Sequence, residues 1–84
     1  MKVDRIIELG NGHKIEFGTS TWNDNTLSVR NRYPTSTGGF SPRSSSEIPI
    51  EDIPIIITST IENGYLEKED IIRIMEVALE ELKK

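Results

Sequence analysis

The sequence predicts an α+β fold in which a four-stranded antiparallel curved sheet precedes one or two C-terminal helices. Up to residue 48, short β-branched and aromatic runs alternate with turns rich in Gly, Asn and Asp, as in strands joined into hairpins. From Pro49 onwards, apolar residues recur every three or four positions, which is the period of an amphipathic helix. Because 84 residues hold one hydrophobic core, we expect a single domain, 1–84, with a sheet at 1–48 and a helical region at 49–84.

The first two strands are predicted at 3–9 and 14–22, joined by a tight turn. The turn residues Gly10, Asn11 and Gly12 tolerate the positive φ that a short hairpin loop requires. A second turn follows at 22–25, where Asn and Asp side chains can hydrogen-bond to their own backbone. These signals indicate an antiparallel hairpin that leads into a third strand.

The third strand is predicted at 26–33. Successive side chains of a strand point to opposite faces, so Leu27 and Val29 lie on one face and Arg30 and Arg32 on the other. The two guanidinium groups are then about 7 Å apart, close to the spacing of phosphates in an extended nucleic-acid strand. We expect the apolar face to be buried and both arginines to face solvent.

A polar loop at 34–41 and a short fourth strand at 44–48 complete the predicted sheet. Residues 53–61 are predicted as a helix, since the acidic Glu51 and Asp52 suit its N-terminus and Gly64 is a natural residue to end it. The β-branched run within this segment leaves a buried strand as the alternative.

A second helix is predicted from Glu67. Its apolar stripe contains residues at intervals of four, three and four, namely Ile71, Met75, Ala78 and Leu82. Charged side chains fill most of the outer positions. The stripe either packs on the domain's own sheet or pairs with the same helix of a second subunit.

Composition argues against catalysis and against a bound metal or cofactor. The chain has no cysteine and one histidine, His13, which adjoins a turn glycine and is interpreted as a surface residue. No serine has a partner base in the sequence pattern, so we expect a protein that is not an enzyme and binds no cofactor. No apolar run approaches the ~20 residues of a membrane span and no signal peptide is recognisable, which predicts a cytoplasmic protein that binds no membrane.

Charge is divided unevenly along the chain, although the net charge is −4. Residues 1–46 carry six Lys and Arg against four Asp and Glu, and residues 47–84 carry four against ten. Single-strand binders combine cations that follow the phosphate backbone with aromatic rings on which bases stack. The residues that suit these roles are the cations Lys14, Arg30, Arg32 and Arg43 and the aromatics Trp22, Tyr33 and Phe40. If about four phosphates are neutralised, the slope of log K against log salt is roughly −3.

Residues 27–30, Leu-Ser-Val-Arg, lead through a Gly-containing loop to 42–50, Pro-Arg-Ser-Ser-Ser-Glu-Ile-Pro-Ile. This order resembles the positive cofactor four family of transcriptional coactivators, with its bacterial and phage relatives. Arg30 matches the family's strand arginine, and Pro42 and Ile48 match its following strand. The resemblance implies a curved antiparallel sheet backed by a helix, dimers formed through the helical side, and sequence-tolerant binding of single-stranded DNA.

The chain departs from that family at Ser45 and Ser46, where the family has Lys-Gly, and in its second helix. Two functions follow from these observations. The first is a homodimeric protein that binds single-stranded DNA, or RNA, in transcription, replication or recombination. The second is a non-enzymatic protein–protein adaptor or regulatory subunit that binds a basic partner through its acidic C-terminal helix and an exposed sheet edge.

Overall fold

The structure is a computed structural model and describes residues 1–34 and 46–84. The chain forms two compact units, Met1–Ile53 and Pro54–Lys84. The first unit contains a β-sheet and the second contains nearly all of two helices. The change in composition seen at Pro49 lies a few residues before this boundary.

The first unit is one open, curved sheet of four antiparallel strands in the order β1-β2-β3-β4. The strands are β1 (Lys2–Gly10), β2 (His13–Thr19), β3 (Leu27–Arg32) and β4 (Glu47–Pro49). The predicted fold class is therefore confirmed. The second strand ends three residues earlier than predicted, because the chain bends at Thr21 and Trp22 into the turn before β3. Part of the predicted fourth strand lies outside the described residues.

The turn between β1 and β2 has the predicted left-handed geometry. Gly10, Asn11 and Gly12 all have positive φ, at 98°, 54° and 81°. Asn is one of the few side chains that adopt this conformation readily, which explains its place between two glycines. The turn fixes the register in which Glu8 lies opposite Lys14.

Cross-strand register gives the sheet two distinct faces. Lys14 pairs with Arg32, Glu16 with Arg30, and Arg30 in turn with Glu47. The polar face carries Glu8, Lys14, Glu16, Ser28, Arg30, Arg32 and Glu47. The apolar face carries Ile7, Ile15, Phe17, Leu27, Val29 and Ile48. The predicted alternation in the third strand is therefore confirmed.

The apolar face is only partly covered within the described residues. Val29 is the one apolar side chain classed as buried there, at 9 % exposed, while Ile7 and Leu27 on the same face are 44 % and 57 % exposed. β1 forms one edge of the sheet, and its Ile6 and Leu9 are also about half exposed. The expectation of a buried apolar face thus holds at Val29 and fails at Leu27 and along β1.

The second unit is helical, and the helix predicted at 53–61 is confirmed over the alternative of a strand. A 3-10 turn at Ile50–Asp52 leads directly into α1 (Ile53–Glu62). Pro54 therefore lies in the first helical turn, where its missing N–H leaves no intrahelical bond unmade. Gly64 has φ of 75°, and the N–H groups of Gly64 and Tyr65 donate to Ile61 and Thr60, which ends the helix in a Schellman motif.

The second predicted helix is also present, as α2 (Lys68–Leu82). Neither helix, both lying wholly within the described residues, contains a buried side chain. In α1, Ile55, Ile56 and Ile57 are 63 %, 43 % and 37 % exposed. No helix in the described ranges is long and apolar enough to cross a membrane.

Candidate nucleic-acid interface

The polar face centres on one glutamate that binds two arginines. The carboxylate of Glu16 accepts a hydrogen bond from Nε of Arg30 at 2.9 Å, and its Oε1 lies 2.8 Å from an Nη of the same guanidinium. Nη1 of Arg32 lies 3.2 Å from the other oxygen, Oε2. Glu16 itself is 2 % exposed, so the three residues form a shielded ionic cluster.

The cluster keeps Glu16 ionised. Burial opposes the charged form, but hydrogen bonding and charge attraction from Arg30, followed by those from Arg32, outweigh it and lower the pKa of Glu16 below its usual value. The paired arginine side chains are largely covered, at 13 % exposed for Arg30 and 29 % for Arg32. A carboxylate held between two guanidiniums is a strong, geometrically fixed interaction.

The expectation that Arg30 and Arg32 face open solvent is therefore wrong. The two arginines do share one face, but β2 places Glu16 directly opposite Arg30, where its carboxylate reaches both guanidiniums. A buried carboxylate needs such partners, because an isolated buried charge is costly. Arg30 in particular serves mainly as an ion-pair partner of Glu16 within the sheet, and only to a lesser extent as a surface cation.

Lys14 lies on the same face and is one-third exposed. Its Nζ is 3.9 Å from the carboxylate of Glu8, which is itself 66 % exposed. Such an exposed and long ion pair is worth about 0–1 kcal/mol, so Lys14 exchanges partners readily. Lys14 also pairs in register with Arg32, which places these two cations side by side near the end of β3.

At that same end, two rings form a stack. The ring centroids of His13 and Tyr33 are 4.1 Å apart with an interplanar angle of 9°. Nε2 of His13 donates to Oδ1 of Asn31 at 2.5 Å, which fixes the imidazole in place. Tyr33 is 49 % exposed. His13, interpreted from sequence as a surface residue, therefore supports a predicted site residue, and only its register with β3 reveals this.

Trp22 lies at the opposite end of β3, in the turn that follows β2. It is 54 % exposed and borders an open groove of about 370 Å³ shared with Leu27, Pro49 and Ile50. Asn23 shapes this turn, since its side chain accepts from the N–H of Asn25 at 2.8 Å. Trp22 and Tyr33 are thus separated by the length of β3 and do not form one platform.

Next to Trp22, a polar group of residues that sequence analysis missed ties the turn to β4. Both oxygens of Glu47 accept hydrogen bonds from Thr21, one from its N–H at 3.0 Å and one from its hydroxyl. Burial raises the pKa of Glu47, but the hydrogen bonds from Thr21, together with the positive charges of the N-terminal amine and Arg30, outweigh it and lower the pKa overall. The buried hydroxyls of Ser20 and Ser28 also hydrogen-bond to each other.

The remaining predicted site residues, Phe40 and Arg43, lie outside the described residues. Among the residues that are described, no group of three or more His, Cys, Asp and Glu side chains could hold a metal ion. A second groove, of about 480 Å³, lies on the apolar face between Ile7, Phe17 and Leu27, with Arg5 at its border. It is apolar in character and suits a hydrophobic side chain better than a base.

The predicted site residues thus occupy two regions. Lys14 and Arg32 lie at one end of β3 on the polar face, and the stack of His13 and Tyr33 lies at the same end on the opposite face of the sheet. Trp22 lies at the other end of β3. Comparison of the chain with protein-family models, with curated proteins and with solved structures finds no match.

Proposed function

We propose that this protein binds single-stranded nucleic acid, DNA or RNA, with little sequence preference. The contact region is the end of the β2–β3 pair, where Lys14 and Arg32 lie on one face and the rings of His13 and Tyr33 on the other. It is called the stacking end below, and a single strand that wraps around this end reaches both faces. The observation that carries the proposal is the half-exposed ring of Tyr33, held parallel to His13 at 4.1 Å. A ring fixed in this way offers a base a flat surface, and each stacked base is worth about 1–3 kcal/mol.

We expect electrostatic attraction to contribute less to the binding free energy than it would if all four predicted cations were exposed to solvent. Glu16 is shared by Arg30 and Arg32, and Glu47 also attracts Arg30, so the two arginines present at most one net positive charge to a ligand. Lys14 adds one cation through a weak, exchangeable pair with Glu8. With about two phosphates neutralised at one stacking end, the slope of log K against log salt falls to roughly −1.4.

The resemblance to the positive cofactor four family supports the same proposal. The strand order and the following helix agree with what that resemblance implies. We extend the proposal to a homodimer, supported by the apolar side chains that stay exposed on β1, α1 and α2. Two copies would present two stacking ends to one strand of nucleic acid, which raises the effective affinity without a new contact.

The deciding experiment is fluorescence anisotropy of labelled oligo-dT and of a mixed-sequence oligomer, titrated with the full chain at low salt. We expect micromolar or tighter binding of both single strands and weaker binding of the matched duplex. Absence of binding to any single strand at 100 μM protein overturns the proposal.

A second candidate, a protein–protein adaptor, is favoured by a different observation. The edge strand β1 exposes Ile6, Ile7 and Leu9 beside backbone groups that pair with no other strand among the described residues, a surface to which another chain can add a strand. The helix α2 is acidic and contains no buried side chain, so a basic partner suits it. If the anisotropy titration shows no binding, this candidate replaces the first.

A further inference from the structure

Two open grooves adjoin each other where β3 begins, at the opposite end of that strand from the stacking end. The Trp22 groove, of about 370 Å³, is bordered by Trp22 and Glu51. The apolar groove, of about 480 Å³, is bordered by Ile7 on the apolar face of the sheet. Leu27 and Ile50 border both grooves, so the two form one continuous surface.

This surface presents large apolar side chains to solvent from a fixed backbone. Trp22 is 54 % exposed and Leu27 is 57 % exposed, and exposed apolar side chains grouped in this way mark contact sites. The N–H of Thr21 donates to the carboxylate of Glu47 at 3.0 Å, and the side chain of Asn23 accepts from the backbone N–H two residues further on at 2.8 Å. The turn that carries Trp22 therefore needs little ordering when a ligand binds.

The charge of the Trp22 groove comes from Glu51. Among the described residues that border this groove, Glu51 is the one with a charged side chain, and Trp22 is the one aromatic. A carboxylate beside an exposed indole is complementary to a guanidinium, whose planar group can stack on the ring and pair with the carboxylate. A single ring does not form the aromatic cage that suits a quaternary ammonium group. The carboxylate also repels the phosphates of a nucleic acid.

The other charges near this surface do not reverse its preference for a cation. Six of them occur as three combinations of opposite sign. These are Asp4 with Arg5 beside the apolar groove, Lys2 with Asp24 at the adjoining corner of the sheet, and the amino group of Met1 with Glu47, 3.8 Å apart. Glu51 and its exposed neighbour Asp52 remain, and the dipole of the helix that follows them offsets only part of their charge.

We infer that the two grooves bind an extended segment of a partner protein in which an arginine lies two residues from a large apolar side chain. Side chains two residues apart in an extended chain point the same way and lie about 7 Å apart. The guanidinium then stacks on Trp22 beside Glu51, while the apolar side chain enters the apolar groove next to Leu27. This surface is separate from the stacking end, so the inference goes beyond nucleic-acid binding and does not depend on it.

The fluorescence of Trp22 provides the first test, because Trp22 is the only tryptophan in the chain. The probe is the peptide acetyl-Leu-Ser-Arg-Ser-Leu-amide, which has a leucine two residues from arginine in either chain direction. Titration of the full chain with up to about 5 mM peptide should give a saturable change in emission. Replacing the arginine by citrulline, its neutral isostere, should weaken binding at least about fivefold, and so should replacing both leucines by alanine. No saturable change, or equal binding of the arginine and citrulline peptides, overturns the inference.

Two neighbouring carboxylates provide matched variants. Glu51→Gln should weaken binding of the arginine peptide about fivefold and leave binding of the citrulline peptide nearly unchanged. Asp52→Asn removes the same charge one residue further on, from a side chain that does not border the Trp22 groove. This control should keep the affinity for the arginine peptide within about twofold of the wild type. Equal effects of the two variants overturn the inference.

Oligo-dT distinguishes a protein partner from nucleic acid as the occupant of the Trp22 groove. Oligo-dT bound at the stacking end should leave the emission of Trp22 nearly unchanged, because the length of β3 separates the two regions. Oligo-dT that quenches Trp22 and displaces the arginine peptide overturns the inference. A chain that binds the arginine peptide but no oligo-dT supports the inference and removes the proposed function.

Discussion

Glu16 binds Arg30 through two contacts, a hydrogen bond of 2.9 Å from Nε and an ion-pair contact of 2.8 Å from an Nη. The two residues lie directly opposite each other on β2 and β3, and Glu16 is 2 % exposed. This pair is therefore a structural link between the two central strands. It also limits how much positive charge the polar face presents to a ligand.

The first prediction concerns removal of this carboxylate charge. Glu16→Gln leaves Arg30 and Arg32 without their shared anion in a largely covered position. We expect the free energy of unfolding to fall by about 2–3 kcal/mol, somewhat less than for a fully buried pair because Arg32 is partly exposed. Urea denaturation at fixed protein concentration measures this. The control Glu8→Gln removes the exposed partner of Lys14 and should cost less than about 0.5 kcal/mol. Equal losses would contradict a structural role for Glu16.

The second prediction concerns pH. The pKa of Glu16 is lowered on folding, so its ionised form stabilises the fold above the unfolded pKa of about 4.3, and that stability is lost as pH falls through the lower folded value. The pKa of Glu47 is also lowered on folding, so its contribution to stability is lost in the same direction as pH falls. We expect the unfolding free energy to decline from pH 5 toward pH 3, and to decline less steeply in Glu16→Gln. Parallel curves for the two proteins would show that Glu16 does not contribute.

The third prediction concerns the stack at the end of β3. Tyr33→Ala removes the exposed ring, and we expect oligo-dT affinity to fall about 5- to 150-fold, the equivalent of one stacked base. Tyr33→Phe keeps the ring and should retain most of the affinity. Tyr65→Ala, which removes a tyrosine that is 82 % exposed between the two helices, is the matched control. A loss as large at Tyr65 as at Tyr33 would refute the placement of the site.

The fourth prediction concerns salt. Lys14→Gln should make the slope of log K against log salt shallower by about 0.7, the change for one phosphate contact on a single strand. Anisotropy titrations between 50 and 300 mM salt provide the slope. Lys68→Gln, at the start of α2, carries the same charge change and should not alter it. A slope unchanged by Lys14→Gln would exclude this lysine from the interface.

The fifth prediction concerns the close approach of β1 to β2. A Cβ at Gly18 would lie 2.0 Å from the carbonyl oxygen of Lys2 and 2.9 Å from the Cα of Val3. Gly18→Ala must displace backbone, so we expect a loss of about 1–3 kcal/mol, and a fall in Tm of about 4–8 °C per kcal/mol. The exposed Glu62→Ala should change the Tm little. A Gly18→Ala chain as stable as the wild type would mean that the start of β1 is not held against β2.

The elements of the fold were predictable because their signals are local. The positive φ at Gly10, Asn11 and Gly12, the alternation along β3 and the apolar stripe of α2 all follow from neighbouring residues. The site was less predictable because it depends on register across β2 and β3. The alternation along β3 places Arg30 and Arg32 on one face, but nothing near them in sequence shows that Glu16 lies opposite.

The same dependence on cross-strand register explains why the stack of His13 and Tyr33 was not predicted. His13 is separated from Tyr33 by twenty positions, and a turn glycine beside it suggested a surface role. Their contact arises because Lys14 is in register with Arg32, which carries the adjacent residues of both strands to one place. The burial of the apolar face of the sheet was likewise overestimated from the alternation of residues. An apolar strand face predicts that some surface packs against it, but the pattern does not say whether the same chain or another supplies that surface.

The sequence of α1 has a consequence for the fate of the isolated chain. Its segment 55–61, Ile-Ile-Ile-Thr-Ser-Thr-Ile, contains no charge and no proline and is rich in residues that favour extended backbone. Seven such residues are sufficient for a steric zipper, the building unit of amyloid. In α1, which Gly64 ends, the backbone amide groups of these residues form hydrogen bonds within the helix. They are therefore not available for the pairing between chains that fibril growth requires. A partner that covered these isoleucines in their helical state would therefore also protect the protein from self-templated aggregation.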